Sequence, residues 1–195
     1  MRTIVRGLIL AAIALVPCTA ARAATLDGVT MPETRVAGKT RMRLNGIGLR
    51  TYSILGSIFG LRIYVAGLYL EQKSSNPEAI LQSPEHKLLD IHFLRDVDAA
   101  DARQAWLDGF ASNCRPPACY LDPRDVQRFL AEIPQFHQGD ETTLLFTPNG
   151  VDVTFNGRPL GEITDLHFAE ALLATFLGPV PPTPRLKQEL LGSQE

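Results

Sequence analysis

Residues 40–70 read as one extended stretch rich in Ile, Leu, Tyr and Val, interrupted only at Gly56-Ser57 and Gly60. Extended apolar runs with glycine breaks predict two long antiparallel strands joined by a turn, and everything else must build on that hairpin. In its second arm Leu61, Ile63 and Val65 fall on one side, and Arg62, Tyr64 and Ala66 on the other. Residues 87–95 alternate again, Leu89, Ile91 and Phe93 against Asp90, His92 and Leu94. Residues 142–146 and 151–155 are joined by Thr147-Pro148-Asn149-Gly150, and residues 160–163 follow the turn at Asn156-Gly157, so these runs predict a meander.

Helical patterns lie between and after the strands. A short helix starts at Ser75, with Pro77 and Glu78 in its first turn. Residues 98–113 carry Ala102, Trp106, Gly109, Phe110 and Asn113 on one helical face. Asp122-Pro123 opens a helix with Val126, Phe129, Leu130 and Ile133 as its apolar stripe. Thr164 or Asp165 caps a strongly apolar one (Leu166, Ala169, Leu172, Leu173, Phe176) that Gly178 ends. The Pro-rich residues 178–184 connect it to a last short helix with Leu186 and Leu190. Strands and helices are segregated, which predicts an α+β fold with an antiparallel sheet and helices on one face.

The first 23 residues are of another kind. Arg2 and Arg6 precede an unbroken apolar run over residues 8–16, and Ala21-Arg22-Ala23 fits the rule for signal cleavage. Nine apolar residues fall far short of the roughly 20 that span a bilayer. Residues 1–23 are therefore expected to be a cleaved secretory signal, and residues 24–195 one domain, with a periplasm as the destination and no membrane-spanning segment in the mature chain. Of 19 basic and 21 acidic side chains, the signal would remove three basic ones, taking the charge from −2 to −5. No basic footprint for nucleic acid remains.

Cys18 would leave with the signal, and Cys114 and Cys119 stay as an isolated pair around Arg115-Pro116-Pro117-Ala118. In an oxidising compartment a disulfide is expected. Free thiols and redox chemistry are the alternatives. The four histidines, at 86, 92, 137 and 167, never stand at i, i+4, so no metal site and no cofactor are expected.

No specific catalytic signature is present: no G-x-S-x-G, H-E-x-x-H, Walker loop, strand-following G-x-G-x-x-G or C-x-x-C. The hairpin says more. With its turn centred on Ser57, Arg50 and Tyr64 stand opposite each other with side chains on one face. A guanidinium beside a phenol makes an anion clamp. It equally makes a cation–π stack at a sheet edge, worth about 0.5–1 kcal/mol when exposed.

The segments Leu44-Asn45-Gly46-Ile47-Gly48-Leu49-Arg50 and Arg62-Ile63-Tyr64-Val65-Ala66-Gly67-Leu68-Tyr69-Leu70 resemble the exported bacterial branch of the chalcone isomerase-like proteins. The likeness continues through Phe93-Leu94-Arg95-Asp96-Val97, Ala105-Trp106, Gly109-Phe110, Asn156-Gly157, Ala171-Leu172-Leu173, Leu177-Gly178 and Leu190-Leu191-Gly192. It implies an open-faced β-sandwich, a long antiparallel sheet covered on one face by helices. It also implies two function classes. One is a non-catalytic binder of a fatty acid or similar amphipathic carboxylate, gripped by Arg50 and Tyr64, with Trp106, Asn113 and Thr175 around the ligand. The other is an isomerase (an intramolecular lyase) acting on a phenolic or enone substrate, with Arg50 as oxyanion stabiliser and Tyr64, Asn113 and Thr175 beside it. Tyr64 and Trp106 stand where the enzymes carry Thr and Tyr, which favours the binder.

Overall fold

The computed structural model describes residues 23–52 and 60–192. Residues 1–22 of the expected signal and the turn centred on Ser57 lie outside the described residues. Among those described, seven strands form one sheet in chain order: β3 (Thr34–Ala37), β4 (Thr40–Tyr52), β5 (Leu61–Leu70), β6 (Lys87–Phe93), β7 (Glu141–Thr147), β8 (Gly150–Phe155) and β9 (Arg158–Ile163). Every neighbouring pair is antiparallel. The first two strands, β1 (Ala24–Leu26) and β2 (Val29–Met31), form a separate hairpin turned at Asp27-Gly28.

Alternation along the strands sorts the two faces. Ala66, Leu68, Leu70, Leu89, Ile91, Phe93, Leu144 and Val153 join the main core beneath the helices. Val65, Tyr69 and Leu88 join Met31, Met42, Leu44 and Ile47 in a second cluster on the outer face. Met31 of the small hairpin lies against Gly67, where a Cβ would come within 2.2 Å of the Met31 sulfur. The outer face is thus partly covered, a cover the sequence pattern did not reveal.

The helices are α1 (Pro77–Gln82), α2 (Ala99–Asn113), α3 (Pro123–Ala131), α4 (Leu166–Leu177) and α5 (Pro184–Leu190). Asp122 and Asp165 cap α3 and α4 as expected, their carboxylates accepting from Arg124 N and Phe168 N. Three local expectations need correction. The cap of α1 is Asn76, one residue after Ser75, because its side chain reaches the Glu78 and Ala79 amides. Leu166 does not join the apolar stripe of α4; it is the first helical residue and is 56% exposed. Ile133, expected on the stripe of α3, lies beyond the end of that helix at Ala131, although it is buried. Gly178 ends α4 as expected, but with a φ of −70° and so not by a left-handed turn. Space is what requires glycine there: a Cβ would sit 2.4 Å from Ala174 O and 2.5 Å from Asn113 Oδ1.

Candidate functional site

β4 and β5 run in register from Gly46 to Arg50, with Gly46 opposite Leu68, Gly48 opposite Ala66 and Arg50 opposite Tyr64. Opposed residues of antiparallel strands project to the same face, so Arg50 and Tyr64 share the helix side of the sheet. The register slips immediately beyond them, between Arg50 and Thr51.

Two glycines bring α5 down onto this strand. A Cβ at Gly46 would lie 2.0 Å from Glu189 O, and one at Gly48 would lie 2.8 Å from the Glu189 side chain. The close approach seats Thr183, the N-cap position of α5, over the end of β4. Arg50 Nη1 donates to Thr183 Oγ1 at 2.6 Å, and Thr183 Oγ1 donates to Thr51 O at 3.2 Å. Its hydroxyl makes no capping bond. Thr183 relays the sheet's cation to the sheet's own backbone.

Tyr64 is half-buried, edge-on to Phe93 at 5.7 Å, and Phe93 stacks on Phe136 at 4.0 Å. Burial pushes the Tyr64 phenol up to about 12, against the opposing pull of the Arg50 charge. At neutral pH Tyr64 is therefore a neutral O–H donor within the field of a permanent cation. That combination suits a carboxylate or phenolate oxygen.

Trp106, Asn113 and Thr175 come together at the contact of α2 with α4. Trp106 packs on Phe110, Phe129 and Phe176. Thr175 is 4% exposed, rests against Gly109, and donates its hydroxyl proton to Leu172 O at 2.7 Å. Asn113 Nδ2 donates to Gly109 O at 3.0 Å and Val180 O at 2.9 Å, while Oδ1 accepts from Val180 N at 3.0 Å. Next to Asn113, Cys114 and Cys119 are joined in a disulfide.

The connector over residues 178–183 relates the two groups. Asn113 holds its Val180, Arg50 holds its Thr183, and Lys187 Nζ donates to Gly178 O at 2.8 Å. Sequence reasoning missed Thr183 as a site residue. A threonine before a proline reads as a helix cap, and its true partners stand more than a hundred residues away.

A family model described as chalcone isomerase-like matches residues 23–192. Among solved structures, the chain is similar to a crystal structure of a fatty-acid binding protein of Arabidopsis thaliana, with 15% identity and a TM-score of 0.73. The match covers 87% of this chain and 96% of that one. No curated protein matches the sequence.

Proposed function

The chain belongs to the chalcone isomerase-like family, and on that premise we propose that it is a non-catalytic binding protein for a fatty acid or similar amphipathic carboxylate. The observation that carries this reading is the opposition of Arg50 and Tyr64 on the helix side of the sheet. A fixed cation and a protonated phenol receive the head group, and the apolar layer between sheet and helices receives the chain. The fold shared with a fatty-acid binding protein supports this.

An isomerase would need Asn113 and Thr175 to face a substrate. Their polar atoms bond to Gly109, Val180 and Leu172 instead; this weighs against both residues as ligand contacts in either reading, and the binder, gripped by Arg50 and Tyr64, depends on them less. Export to a periplasm belongs to the same reading and rests on the basic start, the short apolar run and Ala21-Arg22-Ala23. Exported material should begin near Ala24 on N-terminal sequencing.

Fatty-acid titration tests the clamp. Arg50→Ala should lose a charge-assisted bond worth roughly 1.5–3 kcal/mol, about 10- to 150-fold in affinity. Arg50→Lys should recover only part, because an ammonium lacks the planar fork. Tyr64→Phe should cost less, about 0.5–1.5 kcal/mol. Unchanged affinity in folded Arg50→Ala would remove the clamp from consideration.

A further inference from the structure

On the outer face of the sheet, β6 and β7 hold a second polar group. Asp90 and His92 are two residues apart on β6 and so share a face, and Glu141 of β7 pairs with His92 in the ladder. The Asp90 side chain is 0% exposed, with one oxygen, Oδ2, bonded to Arg35. Its other oxygen, Oδ1, faces His92 Nε2 at ion-pair distance, 3.1 Å, and both atoms are buried with no further partner. Buried polar atoms with no further partner keep lone pairs free for a ligand.

We propose that Asp90 Oδ1, His92 Nε2 and the Glu141 carboxylate form a binding site for a divalent transition metal of the Zn²⁺ type. One ligand atom from each of the three side chains lies within 4.8 Å of the others. Bonds of roughly 2.0–2.2 Å to one tetrahedral ion place neighbouring ligand atoms about 3.3–3.6 Å apart, so Asp90 and His92, at 3.1 Å, need only open slightly. An imidazole with two carboxylates suits Zn²⁺ and its neighbours, whereas Ca²⁺ would ask for six or more oxygens. Arg35 fixes the Asp90 carboxylate from outside, as partners of ligating carboxylates do. Its charge cancels one of the two carboxylates, so with neutral His92 the group carries a net −1 and accepts a +2 ion. The His92 and Glu141 side chains are 23% and 38% exposed, which leaves an approach from solvent.

Titration of the metal-free full chain with Zn²⁺, and with Co²⁺ read by its visible absorption, tests the site. One equivalent should bind. His92→Ala should weaken binding by about 100-fold or more, beyond the roughly 10- to 100-fold typical of losing an outer partner. Glu141→Gln, at a half-exposed position, should weaken it by about tenfold, and it carries the test if His92→Ala does not fold. Arg50→Ala should leave metal affinity unchanged, which separates this site from the fatty-acid clamp. The proposal is overturned if the native chain shows no saturable binding. It is equally overturned if both variants bind as the native chain does, which would put the ion at a surface pair such as His86–Glu71 or His137–Asp140.

Discussion

The Arg50 guanidinium donates to the Thr183 hydroxyl across 133 residues of sequence, at 2.6 Å. The guanidinium is thereby held by the fold itself, and on the proposed reading a head group would share it with Thr183 or displace it. Thr183→Val removes that competitor while keeping the shape. Fatty-acid affinity should hold or rise by up to about tenfold, and stability should fall by about 0.5–1.5 kcal/mol for the lost bond. Calorimetric titration and thermal melts of one preparation check both. A fall in affinity would mean that Thr183 serves the ligand directly.

Tyr64 and Tyr69 should titrate late. Burial holds both phenols up to about 12; the Asp90 carboxylate adds to Tyr69, and Arg50 and Arg35 pull the other way. Unfolded tyrosine ionises near pH 10. Protons are therefore retained in the folded state after the unfolded chain has lost them, so stability present below about pH 10 is lost as pH rises toward 12. Ultraviolet phenolate absorbance should show two late protons, one fewer in Tyr64→Phe and in Tyr69→Phe.

Gly46→Ala should destabilise by at least about 1–3 kcal/mol, the range for overpacking, because its Cβ would meet α5 backbone at 2.0 Å. Gly161→Ala is the control, since nothing lies within 4 Å of its Cβ. Urea unfolding should separate the two clearly. Equal midpoints would show that α5 does not depend on the glycine pair.

The Cys114–Cys119 bond should contribute about 2 kcal/mol by the chain-entropy relation for so short a loop. Without reductant the two cysteines should resist alkylation in mass spectrometry. The double Cys→Ser variant should melt earlier without losing fatty-acid affinity.

The pairing of Arg50 with Tyr64 was legible because strand alternation has a period of two, and the ladder has it. The register slips on either side of that stretch, so Thr51 meets Arg62 and Leu44 meets Tyr69, and those irregularities left no mark in the alternation. The helix starts at Asp122 and Asp165 were equally legible, since a capping carboxylate acts within three residues. What depended on distance was not. β1, β2 and β3 are three or four residues each, too short for alternation to be counted. Asn113 was visible as a polar residue in an apolar stripe, but its partner Val180 stands 67 residues on. The i, i+4 spacing of histidines is a helical rule. On β6 the relevant interval is two, and Glu141 is supplied by the next strand.

The order of the sheet has a consequence for the order of folding. Each strand pairs with its predecessor, so the sheet can zip up from β3 to β9 in chain order. The dock of α5 on β4 is of another sort: Asn45 Nδ2 reaches Leu190 O across 145 residues, and Thr183 reaches Arg50 across 133. An early-made strand thus waits for a late-made helix before its cation is held. A chain truncated before Thr183 should keep its sheet and leave Arg50 without that partner, so the arginine is the last part of the hairpin to be fixed.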